Sequence, residues 1–202
     1  CYLMEITAHS GARPDHAKWQ GQLVSLTGKD VGKTIDGLKV WSLSGIGYGS
    51  GEGFKGWNCR HNWHAYYPGL STPNYTPEEL KKLDEPCISY NGKLYTEYEI
   101  SQMQRAQERR VRAWKRRCIT AQEGVNSATD EATRATAQAE FDRSARYLKN
   151  NEAKLKDFCR QTGQDRDRFR EQVLGFGRSE AQRAVHAVKK NGLTSGDKDG
   201  II

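Results

Sequence analysis

Two short segments rich in glycine hold most of the side chains that could do chemistry in this chain. Residues 9–21 read "HSGARPDHAKWQG", and residues 53–69 read "GFKGWNCRHNWHAYYPG". Histidine supplies a neutral ligand or a proton near pH 7, and cysteine supplies a thiolate. Four of the five histidines and four of the five tryptophans lie within residues 9–64, so we expect the two segments to meet in one polar centre.

Three kinds of site fit these residues. A metal-free phosphodiester-cleaving centre needs one imidazole to remove a proton, another to donate one, and a cation to hold the anion. Its candidates are His9, Arg13, His16 and His61. A zinc site would take nitrogen and sulfur ligands from Cys59, His61 and His16, with His9 as a further candidate. A structural site would use the same side chains to hydrogen-bond buried loops.

The sequence favours an anion over a metal at this centre. Cys59 and His61 form a C-x-H pair, which is not a usual ligand spacing. Arg13 and Arg60 would also place fixed positive charge beside any bound cation. We therefore predict no metal and no cofactor, and we expect a phosphate, sulfate or carboxylate if the centre is occupied. The residues predicted to bind are Arg13, His16, Gln20, Asn58 and Arg60.

The overall composition indicates a chain with much solvated or partner-facing surface. Only 36% of the 202 residues are hydrophobic, and the net charge of +7 favours a polyanionic partner, nucleic acid first. The five cysteines form no C-x-x-C pair, which indicates neither a zinc ribbon nor a disulfide framework. No apolar run approaches the ~20 residues that span a bilayer, so no membrane partner is expected.

Hydrophobic periodicity divides the chain into a strand-rich part and a helical part. Apolar runs predict three short strands, within residues 2–8, 22–28 and 38–45. A short helix should open at Pro14, and the glycines of residues 45–53 should form a loop. From Thr96 the period changes to 3.6. The predicted fold is α+β: a small N-terminal module of short strands and loops, followed by a long basic antiparallel helical hairpin.

Capping and turn signals connect the two parts. Thr76, Pro77 and Glu79 predict a helix that begins with a capping box. Asn91-Gly92 lies between alternating apolar residues, which favours a hairpin with a type I′ turn. We expect a module over residues 1–95, a helical hairpin over 96–162, and a short helix with a flexible tail over 163–202, the tail itself covering residues 193–202.

Each long helix is predicted from its apolar stripe. The stripe of the first helix consists of Ile100, Met103, Gln107, Val111, Trp114 and Cys118. A turn near residues 123–130 leads to the second helix, with Thr129 or Ser127 as its cap and Gly163 after its end. The stripe of the second helix consists of Phe141, Ala145, Leu148, Leu155 and Phe158.

The first long helix also carries a run of basic residues. "RAQERRVRAWKRRC" (residues 105–118) holds seven basic side chains against Glu108. Such a run is either a solvated helix face or a contact for phosphate backbone or an acidic partner, and the affinity of such a contact would fall steeply with salt. Its candidate binding residues are Arg109, Arg112 and Arg116.

Three stretches of the sequence carry a resemblance to a known family. Residues 5–26 ("EITAHSGARPDHAKWQGQLVSL"), 47–76 and 90–117 resemble the phage minor capsid protein 2 family, and more distantly the head-morphogenesis domain of Mu F type proteins. The resemblance extends over most of residues 3–160. By position, the residues that match the family pattern are Arg13, His16, Gln20, Gly21, Asn58, Cys59 and Arg60. His61 stands where the Mu F motif has its second cysteine.

The resemblance implies a component of a tailed-phage or prophage head. Its implied partners are portal and capsid proteins, with packaged DNA as a further contact, and its implied location is the virion head after synthesis in the cytoplasm of the bacterial host. The chain starts at Cys1 without an initiator methionine, so we expect a piece of a longer polypeptide. The resemblance implies no established enzymatic activity. Related head proteins carry toxin or nuclease domains, so a metal-independent ribonuclease or toxin domain delivered with the virion is the alternative function.

Overall fold

The computed structural model describes residues 2–190, and the tail predicted over residues 193–202 lies outside them. Within this range the chain forms two compact units. The N-terminal unit holds residues 2–88 and 92–101, and the helical unit holds residues 89–91 and 102–190. The α+β prediction is confirmed, while the division at residues 95 and 162 stays a prediction.

A five-stranded sheet forms the centre of the N-terminal unit. Its strands are β1 (Leu3–Ile6), β2 (Leu23–Ser25), β3 (Thr34–Ile35), β4 (Leu38–Ser42) and β5 (Trp63–Tyr66). The strand order is β3-β4-β2-β1-β5, in which β2 and β4 pair in parallel and the other pairs are antiparallel. The three predicted strands are confirmed. The sequence prediction missed β3, which has two residues, and β5, which lies inside the cysteine–histidine segment.

Buried side chains cover both faces of this sheet. One cluster consists of Leu3, Leu23, Leu38, Val40 and Tyr66, and the other consists of Ile6, Trp19, Val24, Ile46 and Phe54. Neighbouring residues of a strand point to opposite faces, which is why Leu3 and Ile6 of β1 enter different clusters. Trp19 and Phe54 belong to the two chemically rich segments. Core packing therefore brings both segments to the same face of the sheet.

The local signals of the connecting region are confirmed. Helix α1 covers Pro14–Ala17 and helix α2 covers Pro77–Lys82, where Thr76 and Glu79 form the capping box. Strands β6 (Ile88–Tyr90) and β7 (Lys93–Tyr95) form a hairpin. Asn91 and Gly92 have φ values of 49° and 76°, as a type I′ turn requires.

Two long helices dominate the rest of the chain. Helix α3 covers Glu97–Ser127 and helix α4 covers Glu131–Thr162. Thr96 begins α3 with a second capping box: its hydroxyl accepts from the Glu99 backbone at 3.2 Å, and the Glu99 carboxylate accepts from the Thr96 backbone at 2.8 Å. The sequence prediction overlooked this box, although T-x-x-E is the same signal that located α2.

Helices α3 and α4 pack as an antiparallel hairpin. Near the turn, a Cβ at Gly124 would lie 3.2 Å from the Cβ of Ala137, and further along the rings of Trp114 and Tyr147 stack with centroids 4.6 Å apart. Both pairs fit one antiparallel register, because Trp114 lies ten residues before Gly124 in α3 and Tyr147 lies ten residues after Ala137 in α4. Gly124 thus continues the helix and lets α4 approach closely, so the turn is shorter than predicted and covers residues 128–130.

The predicted stripe of α4 is buried throughout, but the buried face of α3 differs from the prediction. Gln104 and Glu108 are buried, whereas Met103 and Trp114 are only half-buried. Gln104 donates to the Glu108 carboxylate at 3.2 Å and to the Asp165 carbonyl at 2.9 Å, so the loop after α4 satisfies these polar groups. Gly163 ends α4 at a φ of 71°, as predicted.

A short 3-10 turn (Phe169–Glu171) and helix α5 (Arg178–Lys190) complete the described chain, and α5 packs against α4. Among residues 2–190, every helix is too short or too polar to cross a lipid bilayer.

The cap of α4 is Asp130, so the prediction of Thr129 or Ser127 is wrong. The Asp130 carboxylate accepts from the Thr133 backbone at 2.8 Å, and this bond holds the pKa of Asp130 below its usual range. A carboxylate accepts more strongly than a hydroxyl at a helix start, where the dipole also favours negative charge.

We expect Asp130→Ala to lower the unfolding midpoint of the helical unit at pH 7 by roughly 4 °C or more, because α4 loses its cap. The lowered pKa means that the carboxylate stabilises the fold above pH 4 and loses this effect as the pH falls through that pKa. The difference from the wild type should therefore shrink in acid. Thermal unfolding followed by circular dichroism tests this, and Thr129→Ala should leave the midpoint unchanged. A larger effect of Thr129→Ala would contradict the assignment.

Candidate functional site

The two chemically rich segments meet in one polar centre, defined as His9, Arg13, His16, Gln20, Cys59 and His61. His16, Gln20 and His61 are at most 3% exposed, and the Trp19 ring packs against both imidazoles. The ring centroids of His9 and His61 are 4.3 Å apart, and those of His16 and His61 are 5.4 Å apart. His61 therefore lies at the middle of the polar centre.

The backbone carbonyl of Glu52 ties the first segment to the glycine loop. It lies 2.8 Å from His16 Nε2 and accepts from Arg13 Nη2. Arg13 Nη2 also lies 2.9 Å from His16 Nε2, so this ring nitrogen faces one acceptor and one donor. Arg13 also forms an ion pair with Asp15 at 2.9 Å, so its guanidinium is already engaged.

Gln20 links the first segment to the second. Its Oε1 accepts from the His9 backbone at 3.2 Å and lies 3.2 Å from His61 Nε2. A backbone N–H can only donate, which identifies the Gln20 atom as oxygen. His61 Nε2 must then donate to it, and this leaves the lone pair of the neutral ring on Nδ1.

That lone pair faces the thiol of Cys59, whose Sγ lies 3.6 Å from His61 Nδ1. Burial lowers the pKa of His61 to about 3, with further lowering from His9, His16 and Arg60. His61 is therefore neutral at physiological pH. With a neutral imidazole, the pair is not a thiolate–imidazolium ion pair.

The lowered pKa of His61 predicts acid sensitivity of the N-terminal unit. Between pH 6.5 and about 3, the unfolded chain protonates this ring and the folded chain does not. Stability therefore falls on acidification, by at most about 1.4 kcal/mol per pH unit from this group. His61→Gln should flatten the slope.

The measurement is urea unfolding from pH 7 to pH 4, followed by tryptophan fluorescence with a chelator present. Four of the five tryptophans belong to the N-terminal part of the sequence, so the signal reports mainly on that unit. His186→Gln, at an exposed position of α5, is the matched control. An unchanged slope for His61→Gln would show that His61 is protonated in the folded state.

Three buried polar atoms of the centre make no hydrogen bond within residues 2–190. They are His9 Nε2, Arg13 Nε and Gln20 Nε2. His9 Nδ1 donates to the Ser10 carbonyl at 2.8 Å, which leaves a lone pair on the unpartnered Nε2. Unsatisfied buried atoms are uncommon in folded proteins and indicate room for a water or another ligand. These three atoms make the centre a candidate for a bound water or another ligand.

Some residues that match the family pattern lie outside the polar centre. Asn58 is exposed with a φ of 57°, and Arg60 is exposed and forms no hydrogen bond or ion pair in the described part of the chain. The charge of Arg60 still helps to lower the pKa of His61, and its binding role stays a prediction. The backbone and its surroundings explain why residue 21 is glycine: its φ is 66°, and a Cβ there would lie 2.5 Å from Leu80 Cδ2.

A second buried cluster was missed by sequence reasoning. Glu5 of β1 is fully buried, and its carboxylate accepts from the Asn74 backbone at 2.9 Å and from the Asn74 amide at 2.7 Å. His64 Nε2 lies 3.4 Å from the same carboxylate. Glu5 resembles an outward-facing residue of an alternating strand, and its hydrogen-bond partner Asn74 is 69 residues away in the sequence. No local signal could have revealed it.

The basic run of α3 forms a stripe along one side of the helix, defined as Arg105, Arg109, Arg112 and Arg116. These positions follow the spacing i, i+4, i+7, i+11, which keeps them on one face. Arg109 and Arg116 are exposed, and Arg105 and Arg112 are half-buried. We call this set the arginine stripe.

Most of the arginine stripe is free of internal partners. Arg112 Nη1 donates to the Arg170 carbonyl, but Arg105, Arg109 and Arg116 form no ion pair within residues 2–190. The acid of the run, Glu108, is buried beside Arg112, and desolvation raises its pKa while Arg170 and Arg112 lower it. It forms no ion pair with the stripe among the described residues. The structure thus places the predicted Arg109, Arg112 and Arg116 together and adds Arg105.

Curated relatives of this chain come from phages. It is 35% identical over 115 residues to a structural protein of Lactococcus phage LL-H, which is 57% of this chain and 28% of that relative. It is 37% identical over 84 residues to a structural protein of Lactococcus phage mv4, which is 42% of this chain and 59% of that relative. The matched regions thus span less than two thirds of either relative. No solved structure gives a significant match.

The family comparison covers a larger part of the chain. The profile described as phage minor capsid protein 2 matches residues 1–160, which include the polar centre and the arginine stripe. The resemblance noted from the sequence motifs is confirmed, and the chain belongs to the phage minor capsid protein 2 family.

Proposed function

We propose that this chain is the part of a virion head protein that contacts packaged DNA through the arginine stripe, close to the portal. Membership of the minor capsid family supports a structural role in the virion. The observation that carries the DNA contact is the set of three stripe arginines without ion pairs among the described residues. Fixed cations without internal partners on a rigid helix are suited to phosphate groups.

The dimensions of the stripe fit a nucleic-acid backbone. Arg105 to Arg116 span eleven residues, or about 16 Å of helix axis. That length corresponds to about five steps of a DNA strand at 3.4 Å each. Contacts of this kind are made to phosphates and carry no base readout, so we expect binding without sequence preference.

The geometry of the polar centre does not favour the ribonuclease alternative. A general acid needs a pKa near the working pH, and His61 is held neutral with its pKa at about 3. The cleft beside His16 has a volume of about 230 Å³ and is lined largely by glycine-loop residues. This is smaller than the usual range of small-molecule sites. His16 Nε2 is also engaged by the Glu52 carbonyl.

The test is binding of the purified chain to a short labelled duplex over 50–200 mM salt. With three to four phosphate contacts, the logarithm of the affinity should fall with the logarithm of salt with a slope of about −3. Duplexes of different sequence should behave alike. Portal and capsid proteins serve as parallel ligands. Binding to those proteins alone, with no DNA binding at 50 mM salt, would reassign the stripe to a protein partner.

A further inference from the structure

We propose that His16, Cys59 and His61 form a binding site for a divalent transition metal of the zinc class. One ligand atom from each residue lies within 4.8 Å of the other two. His16 and His61 are buried and Cys59 is half-buried. Two imidazoles and one thiolate are a ligand set that zinc accepts, and the open fourth position can hold water or a further side chain.

The spacing of two ligands already matches a metal site. Cys59 Sγ lies 3.6 Å from His61 Nδ1. With zinc–sulfur and zinc–nitrogen bonds of about 2.3 and 2.05 Å at a tetrahedral angle, the expected separation is about 3.6 Å. The C-x-H spacing therefore brings the thiol sulfur and the imidazole nitrogen within reach of one ion. His16 needs to approach by only about 1 Å to complete a three-ligand set.

The outer nitrogens of the imidazoles are held as they are around metals. Metal-bound histidines usually donate their second N–H to a carbonyl, carboxylate or water, which fixes the ring and its tautomer. His61 Nε2 donates to Gln20 Oε1 at 3.2 Å, and His16 Nε2 lies 2.8 Å from the Glu52 carbonyl oxygen. His61 therefore presents a lone pair on Nδ1, and His16 does so in the tautomer in which Nε2 donates to Glu52 instead of accepting from Arg13 at 2.9 Å.

His9 strengthens the assignment by a separate observation. Its Nδ1 donates to the Ser10 carbonyl at 2.8 Å, and its Nε2 is buried with no hydrogen-bond partner among the described residues. The His9 ring lies 4.3 Å from the His61 ring between centroids. A bare buried lone pair on a ring that packs against His61 shows that the surroundings of the three ligands hold a further donor atom that the fold itself does not use.

The arginines that disfavoured a metal from sequence are neutralised or solvated in the structure. The Arg13 guanidinium is paired with the Asp15 carboxylate at 2.9 Å and donates to the Glu52 carbonyl. Arg60 is exposed, so water screens its charge. Deprotonation of Cys59 on binding would add a negative charge at the metal, and the released proton goes to solvent. The electrostatic objection therefore loses most of its weight.

The test uses metal-free protein titrated with zinc by calorimetry and with cobalt(II) as a spectroscopic probe. We expect one equivalent to bind, with a thiolate-to-cobalt charge-transfer band in the near ultraviolet. Cys59→Ser should abolish that band and weaken zinc binding by roughly 100-fold or more. Gln20→Ala, which removes the acceptor behind His61, should weaken binding by about 10–100-fold while keeping the band.

Cys87→Ser is the matched control, because Cys87 is an exposed free cysteine of the same unit and lies outside the cluster. It should leave both affinity and spectrum unchanged. Far-ultraviolet circular dichroism confirms that each variant is folded, and a variant that fails this check is replaced by His16→Gln. Failure to bind zinc at micromolar concentration, or equal binding by wild type and Cys59→Ser, would overturn the proposal.

Discussion

Replacing Gly53 with alanine should remove most of the stability of the N-terminal unit. A Cβ at Gly53 would lie 1.9 Å from the Gly47 carbonyl oxygen and 2.5 Å from the Gly47 Cα. These are backbone atoms, so no side chain can rotate away. The two segments of the loop that contain Gly47 and Gly53 are also tied together next to the buried Phe54 ring, because the Phe54 N–H donates to the Ile46 carbonyl at 2.9 Å.

Relief of the clash would require the loop to open and Phe54 to leave the core. We expect a loss of roughly 3 kcal/mol or more, at the upper end of single substitutions. Gly49→Ala is the matched control within the same loop. Its Cβ would meet nothing within 4 Å, and only its φ of 88° is unfavourable. That change should cost about 1–2 kcal/mol. Urea unfolding with tryptophan fluorescence compares the two variants. Similar losses of unfolding free energy would show that the contact between Gly47 and Gly53 is not tightly packed.

The second large effect is expected from the arginine stripe. Exchanging Arg105, Arg109 and Arg116 for glutamine removes three cations that have no ion-pair partner among residues 2–190. Each lost phosphate contact should reduce the salt slope by about 0.9, so the slope should drop by about 2.7. If the affinity at 1 M salt is unchanged, binding at 0.1 M becomes roughly 500-fold weaker.

The control for that triple variant carries the same loss of charge elsewhere. Lys81, Lys82 and Lys154 are exposed and lie outside the stripe, so their exchange for glutamine lowers the net charge equally. This control should retain nearly the full slope. Equal losses from both triples would mean that net charge, and not the stripe, determines DNA binding. Circular dichroism should show unchanged helix content in both.

Local signals predicted the elements of this fold well. The change of period at Thr96 located the start of α3 to within one residue. Pro77 and Asn91-Gly92 fixed α2 and the β6–β7 hairpin, because each acts through its own backbone geometry. Asp130 was overlooked as a cap because Ser127 and Thr129 offered the same kind of signal one to three residues earlier. Sequence spacing alone does not decide among neighbouring caps.

Contacts between distant residues explain what could not be predicted. Gln104 and Glu108 are buried because the Asp165 carbonyl, 61 residues away from Gln104, accepts a hydrogen bond in that position. The polar centre depends in the same way on the Glu52 carbonyl. Every residue has a carbonyl, so nothing in the side chain of Glu52 signals this role. Sequence grouped His16, Cys59 and His61, but only the folded loop shows which atoms face each other.

The most direct test of a DNA-facing stripe uses assembled particles. Ala113 is exposed on the same side of α3, one turn from both Arg109 and Arg116, and its replacement leaves every arginine in place. A photo-crosslinking amino acid at Ala113, in phage carrying the full-length gene, should attach the protein to DNA in filled heads and not in empty ones. The same group at the exposed Lys154 of α4 is the comparison. Crosslinks from Ala113 to portal or capsid protein alone, equal in filled and empty heads, would contradict the proposal that this helix faces the packaged DNA.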